Sequence, residues 1–297
     1  MITEIFYHTD NFCKEHNDEI EKQYLEEYGK KKIVNNEDKE LSISEIMTII
    51  IYYHYSGYHT FKDYYLKYIK INAENNFSDN KIVSYNRFLE LKRKVLFALA
   101  LFAKYKNSNR CTGISFIDSF SLPVCHIKRC NSNKTFKGMT KKGKTSMGWF
   151  FGFKTHIIIN PYGEIIDFCI TKGNVSDNNT NVLESLTTNV YGKVFGDKGY
   201  LLRKGFFEKL FNRGVKIVTK IRKNMKNILM DLDEKMILTK RGLVESAINI
   251  LKRILLIDNT RHRSPINFFV SIFSGLIAYS FRENKPSLDV RSDLLIC

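Results

Sequence analysis

No stretch of this chain stays apolar for long. Its 297 residues hold no run near the ~18–20 apolar residues a bilayer-spanning helix needs. The best candidate, Phe268 to Tyr279, is shorter and is interrupted by Ser271 and Ser274. Met1 to Glu40 is rich in acids and has no apolar stretch, unlike a secretory leader. Cys13, Cys111, Cys125, Cys130, Cys169 and Cys297 include no Cys-x-x-Cys pair and no histidine at zinc-type spacing. The nearest approach is Cys125 and Cys130 with His126 between them. Buried or incidental thiols account for these cysteines better than a zinc site does, and a cytoplasmic setting is expected. No internal repeat or long low-complexity segment is present either. The most local absence is of acid: Ser119 to Gly163 contains no Asp or Glu, yet holds Lys128, Arg129, Lys134, Lys137, Lys141, Lys142, Lys144 and Lys154.

Charge is the first positive signal. The chain carries 47 Lys plus Arg against 31 Asp plus Glu, a net +16. Residues 1–110 account for about +1 of this and residues 111–297 for about +15. A basic excess confined to one part points to a polyanion, and with no membrane-spanning run that polyanion is nucleic acid rather than a lipid surface. A hydrophobic fraction of 43% permits a sizeable core, and the length suits about two domains.

Residues 1–40 alternate charges without a clear apolar stripe and read as a loosely packed helical lead-in. Ser42 with Glu45 three residues on is a capping box. It opens a helix through Ile43, Ile46, Met47, Ile50 and Ile51 that Gly57 ends. Thr60 with Asp63 opens a second helix, and a third runs from near Ser84 toward Tyr105. Residues 41–105 are thus expected to form a small all-α unit. Its short helices and glycine-containing turn are compatible with a helix-turn-helix DNA reader and equally with a packing domain that touches no groove.

From Gly113 the period changes. Ile114 to Val124, Trp149 to Ile159 and Glu164 to Thr171 read as strands, the last two joined by a Pro161-Tyr-Gly turn. Cys130 to Met147 reads as a mobile loop. A helix over Asn178 to Val190, a strand over Lys193 to Asp197, a helix over Leu201 to Asn212 and a strand over Val215 to Ile221 follow. Helices over about 240–257 and Pro265 to Arg282 close the chain. This order implies α/β class: a ribonuclease-H-like mixed five-stranded sheet flanked by helices, preceded by a small all-α N-terminal domain. The expected boundaries are 1–108 for the helical region, 109–285 for the sheet domain and 286–297 for a tail.

Three acids stand out against this layout. Asp118 follows the apolar Ser-Phe-Ile, where a charge is costly unless paired. Asp197 sits between Gly196 and Lys198-Gly199-Tyr200 at a strand end. Glu245 lies on a run with helical spacing. At 100° per residue, Glu245 and Lys252 fall about 40° and about 20° from Arg241, so the three share one face. The plain alternatives are an acid capping a strand turn for Asp118, a strand-to-helix turn at Asp197, and an Arg241–Glu245 intrahelical ion pair. Acids delivered from separate rigid elements can instead converge on a pair of divalent cations, an arrangement suited to cutting and joining phosphodiesters.

The acid-free interval interrupts the first two strands beside these acids, so Lys128, Arg129, Lys137, Lys141, Lys142, Lys144 and Lys154 are candidate phosphate contacts. Lys216, Lys220, Arg222, Lys223 and Lys226 form a second basic cluster. Arg261-His262-Arg263 forms a third at the start of the last helix, where free backbone N–H groups favour anions. His156 either touches substrate or is a packed core histidine.

The succession Ile117-Asp118-Ser119, Gly173-Asn-Val-Ser-Asp177, Phe195-Gly-Asp-Lys-Gly-Tyr200 and Arg241-x3-Glu245-x6-Lys252 resembles the DDE transposases of bacterial insertion sequences. It is most similar to the insertion-sequence-982 family. Leu41-Ser-Ile-Ser-Glu45, Gly57-Tyr-His-Thr-Phe-Lys-Asp-Tyr64 and Thr260-Arg-His-Arg-Ser-Pro265 extend the resemblance over roughly residues 40–285. One departure is Leu238, where the related Tyr-x2-Arg-x3-Glu-x6-Lys signature places a tyrosine.

The resemblance implies a metal-dependent recombinase that nicks transposon ends and joins the 3′-hydroxyl to target DNA. Asp118, Asp197 and Glu245 would be both its catalytic residues and its metal ligands. The two ions would be Mg²⁺, with Mn²⁺ as a substitute, because the ligands are all oxygen. It also implies double-stranded DNA partners (terminal inverted repeats and target), no membrane, a homodimer during synapsis, and a place in the bacterial cytosol or nucleoid. DNA contacts would come from the basic residues above, Arg222, Arg241, Lys252, Arg261 and Arg263 among them. The alternatives are a nuclease of the same fold that does not join, and an inactive DNA-binding relative.

Overall fold

The computed structural model describes residues 1–29, 41–72, 82–146, 148–220, 230–259 and 262–288. They divide into two compact units, 1–106 with 251–282, and 107–250 with the segment from Glu283 onward. These limits differ from the expected 108/109 and 285/286 boundaries. The last helix is apolar on most of its faces and is buried against N-terminal helices, which places it in the first unit.

The first unit is helical. It contains α1 (Ile2–Glu15), α2 (Asn17–Tyr28), α3 (Ile43–Tyr52), α4 (Phe61–Tyr64), α5 (Tyr85–Lys94) and α6 (Leu96–Asn107). The lead-in is better packed than its charge pattern suggested. Ile5, Thr9 and Phe12 recur at helical spacing and are buried, and the Thr9 and Thr48 hydroxyls meet at 2.9 Å to fix α1 on α3. The Ser42 box forms in full: Ser42 Oγ accepts from the Glu45 N–H at 3.2 Å, and Glu45 Oε2 accepts from the Ser42 N–H at 2.7 Å. Thr60 caps α4, which continues as a π turn over Tyr65–Ile69. The helix expected from Ser84 to Tyr105 is split at Val95, where the backbone leaves helical geometry.

The second unit is a mixed sheet. All five expected strands form, as β1 (Ile114–Cys125), β3 (Gly148–Ile159), β4 (Ile165–Lys172), β5 (Gly192–Gly196) and β6 (Val215–Thr219). A sixth, β2 (Lys141–Thr145), lies within the expected loop and pairs antiparallel with Gly148–Gly152 of β3. Strand order is β2-β3-β1-β5-β6, with β4 taking the same edge of β3 beyond β2. β1 is antiparallel to β3 and parallel to β5, and β5 is parallel to β6.

Between β4 and β6 run α7 (Thr180–Leu186) and α8 (Lys204–Asn212). Their Val182, Leu183, Leu186 and Leu210 bury one sheet face together with Ile117, Ile158, Val194 and Ile217. Alternation along β1 turns Phe116 and Asp118 to the other face. There α9 (Leu232–Thr239) packs on β5 and β6, and α10 (Gly242–Asn249) packs on β1. Within the first unit, α11 (Pro265–Phe281) completes the described helices. Among the described residues no helix is long and apolar enough to cross a membrane.

Candidate active site

β1 and β5 run parallel with Phe116 opposite Phe195. Two residues further along each strand, on the same face, stand Asp118 and Asp197. Asp118 is paired in register with Ile157 of β3 and its side chain is only 19% exposed. Burial pushes its carboxyl up to about 6, and the neighbouring Asp197 and Glu245 charges push the same way. The Ser119 N–H, donating to Oδ1 at 2.8 Å, and the Arg241 guanidinium hold it down. Asp197 is exposed just past β5, and its Oδ1 accepts the Gly199 N–H at 2.8 Å.

Glu245 lies in the first turn of α10. Arg241, immediately before that helix, spans the gap. Its Nη2 donates to Glu245 Oε1 at 2.6 Å and its Nη1 stands 3.4 Å from Asp118 Oδ2. The Arg241–Glu245 pair foreseen from helical spacing therefore forms, and the same guanidinium also reaches the strand acid. A planar fork with several donors suits two carboxylates at once. Lys252 belongs to a different stretch. The α-helix ends at Asn249 and continues as a π turn over Ile250–Ile254, so the 100° arithmetic does not extend to it.

A fourth acid joins the group. Asp177, on the loop after β4, accepts from Ser119 Oγ at 2.7 Å and from Lys154 Nζ at 3.2 Å through Oδ1. Lys154 also donates to the Val175 carbonyl at 2.9 Å. The buried His156 Nδ1 lies 3.8 Å from the same Asp177 oxygen and has no hydrogen-bond partner among the described residues, while its Nε2 is 3.1 Å from Thr171 Oγ1. Burial, its main cause, lowers the His156 pKa to about 4, so this is a neutral core histidine. A Cβ built on Gly199 would lie 2.8 Å from Asp197 Oδ1 and 3.3 Å from Asp177 Oδ2, so the bare glycine lets these two acids come close to one point. Beside them Tyr200 is buried, and burial raises the pKa of its hydroxyl well above the ordinary value. Asp177 stood in the Gly173-to-Asp177 motif, but its partners are far away in sequence.

Leu238, at the position where a tyrosine would stand, is buried on α9 and lines a hollow of about 260 Å³ with Asp197, Lys198, Lys220 and Arg241. The hollow therefore lacks a ring hydroxyl at that point. Lys216, from the second basic cluster, is tied to Glu234 of α9 at 2.5 Å.

Residues 108–265, more than half of the chain, match the family model described as transposase DDE domain. The chain belongs to this family. No curated protein matches the chain. The chain is accordingly a DDE transposase, and its mixed sheet flanked by helices is consistent with the ribonuclease-H-like form of such a domain.

Within this DDE domain the candidate phosphate contacts separate into groups. Lys128 and Arg129 are exposed on a 3-10 turn after β1, Lys137 is exposed beyond it, and Lys141, Lys142 and Lys144 are exposed on β2. Lys154 is not in that group, because it is buried and committed to Asp177. Lys252, half-buried near Asp258, and the exposed Arg263 fall in the other compact unit. Arg222 and Arg261 lie outside the described residues. Cys125 and Cys130 are free thiols.

DDE transposases generally use divalent metals. The donors here are hard carboxylate oxygens, which fits Mg²⁺ rather than zinc. Among the described residues, however, no three His, Cys, Asp or Glu side chains are grouped to hold an ion. The positive charge placed between Asp118 and Glu245 is Arg241.

Proposed function

We propose that this transposase cleaves DNA at transposon ends and transfers the resulting 3′-hydroxyl into target DNA, with Asp118, Asp197 and Glu245 as the catalytic acids. The observation that supports this most is the Arg241 fork, which ties the acid of β1 to the acid of α10 beside the strand end that carries Asp197. Asp118 and Asp197 would hold a divalent cation jointly, Glu245 would complete the set, and Mn²⁺ would substitute for Mg²⁺. When bound, two such ions supply the charge that acidifies an attacking hydroxyl and offsets the leaving oxygen.

The chain's own groups do the rest. Ser119, through its N–H on Asp118 and its hydroxyl on Asp177, fixes the two acids relative to each other. Lys128, Arg129, Lys137, Lys141, Lys142 and Lys144 grip the backbone phosphates of double-stranded DNA at terminal repeat and target. Arg241, released from one carboxylate, can take a phosphate oxygen. The helical unit is read as the DNA-recognising part, and synapsis of two ends calls for a homodimer. The motif succession supports a transposase of the insertion-sequence-982 type of bacteria.

The test is a strand-transfer assay with a pre-nicked terminal-repeat oligonucleotide. The wild type should join it to target, and Asp118→Asn should bind DNA normally and join nothing. Cutting without joining by the wild type would favour a plain nuclease, and unaltered cleavage by Asp118→Asn would reject the site.

A further inference from the structure

Two backbone amides orient the strand-borne acids. The Ser119 N–H donates to Asp118 Oδ1 at 2.8 Å, and the Gly199 N–H donates to Asp197 Oδ1 at 2.8 Å. One side chain reaches both donor residues. Asp177 Oδ1 accepts the Ser119 hydroxyl at 2.7 Å, and Asp177 Oδ2 would stand 3.3 Å from a Cβ placed on Gly199. Gly199 does not adopt the left-handed backbone that usually calls for glycine, so what its missing side chain provides is room for the two carboxylates.

Asp177 is itself braced from several sides. Lys154 Nζ donates to Asp177 Oδ1 at 3.2 Å and to the Val175 carbonyl at 2.9 Å, which ties the loop after β4 to β3. Asn178 Nδ2 donates to the Leu201 carbonyl at 3.2 Å, just past the 3-10 turn Lys198–Tyr200 that Asp197 caps. Asn179 Oδ1 accepts the Val182 N–H at 3.2 Å and so caps α7. Three successive residues thus join β1, the turn after β5 and α7. With Oδ1 already accepting from a hydroxyl and an ammonium group, Asp177 is suited to holding its neighbours rather than to reacting. We propose that Asp177 is a positioning residue of the transposase site. It sets the spacing of Asp118 and Asp197, through the Ser119 hydroxyl on one side and against the bare Gly199 on the other. This deepens the transposase reading and rests on it. Carboxylates that share cations need such support, and loss of a hydrogen bond behind a metal ligand commonly costs about 10–100-fold in metal affinity or activity.

The experiment uses the full chain and separates positioning from packing. Ser119→Ala removes the hydroxyl link but leaves the Ser119 N–H on Asp118 and the Lys154–Asp177 pair in place, so its urea midpoint should stay close to that of the wild type. Its Mn²⁺ affinity, followed by electron paramagnetic resonance, should nonetheless fall about tenfold. Strand transfer should lose kcat by a similar factor at unchanged KM for DNA. Ser119→Thr, which keeps a hydroxyl, should restore both. Asp177→Ala combined with Lys154→Met, which leaves no buried ammonium without its counter-charge, should show the same two losses. Adding Ser119→Ala to that pair should cost little more, because both changes cut one link. Unchanged Mn²⁺ affinity and kcat in Ser119→Ala and in the Asp177→Ala/Lys154→Met variant would overturn the positioning role while leaving the three acids standing. Losses that follow only the urea midpoint, and that Ser119→Thr does not restore, would equally overturn it and reduce Asp177 to the structural partner of Lys154. A wild type that neither binds Mn²⁺ nor joins DNA would overturn the transposase site itself.

Discussion

The Asp177 carboxylate is the counter-charge of Lys154, whose side chain is only 11% exposed. Asp177→Asn keeps the shape and removes the charge, leaving that buried ammonium with the Val175 carbonyl and an amide oxygen. The expected cost is about 2 kcal/mol in urea denaturation of the full chain. Adding Lys154→Met should recover part of it, and an unchanged midpoint in Asp177→Asn would show that the pair contributes nothing. The sequence could not mark Asp177 this way, because its partners Ser119 and Lys154 are distant and only the fold brings them together. Asp118, Asp197 and Glu245 stood out in the sequence for the opposite reason. Each sits in a local context that is odd for an acid: an apolar strand, a glycine-flanked strand end, and a helix face shared with arginine. What their contexts did not show is that Arg241 engages two of them at once.

Strand β2 shows the same limit for an element. Lys-Lys-Gly-Lys-Thr has no apolar alternation, so nothing local distinguishes it from a solvated loop. Its strand character comes from backbone pairing with β3 and from the bare Gly143, over which the Gly173 carbonyl lies. Gly143→Ala is therefore expected to detach β2 and to weaken DNA binding several-fold through displacement of Lys141, Lys142 and Lys144. Backbone-amide exchange at 141–145 should rise in the same variant, and unchanged exchange would contradict the packing argument. Elements with complete local signals were read correctly, as at the Ser42–Glu45 box and the Pro161-Tyr-Gly hairpin. The stretch after Asn249 was misread because helical periodicity assumes an unbroken α-helix, and a π turn follows there.

Across the whole chain, the charge asymmetry was visible in the residue count, whereas the grouping of the last helix with the N-terminal helices was not. Its apolar faces state that it is buried but not against what. Both units contain buried histidines held neutral. His54, with Nδ1 2.6 Å from the Leu255 carbonyl and Nε2 2.9 Å from Ser274 Oγ, and His262 near Lys92 and His54, have pKa values lowered to about 4, mainly by burial. His156, facing Asp177 and Lys154, is lowered likewise. The unfolded chain takes up these protons near pH 6.5 and the folded chain only near 4. Stability should therefore be complete above pH 6.5 and fall progressively from there toward 4. Asp118, with its raised pKa, works in the opposite sense between about 6 and 3.8 and offsets part of the fall. A melting temperature that stays flat or rises from pH 6.5 to 4.5 would refute the histidine account. The central claim is that Asp118, Asp197 and Glu245 form one site, and Mn²⁺ binding to the full chain, followed by electron paramagnetic resonance, tests it most directly. Asp118→Asn, Asp197→Asn and Glu245→Gln should each weaken the same binding isotherm by about tenfold or more. Mn²⁺ binding that is indifferent to all three, or that responds to the strand acids and ignores Glu245, would contradict it.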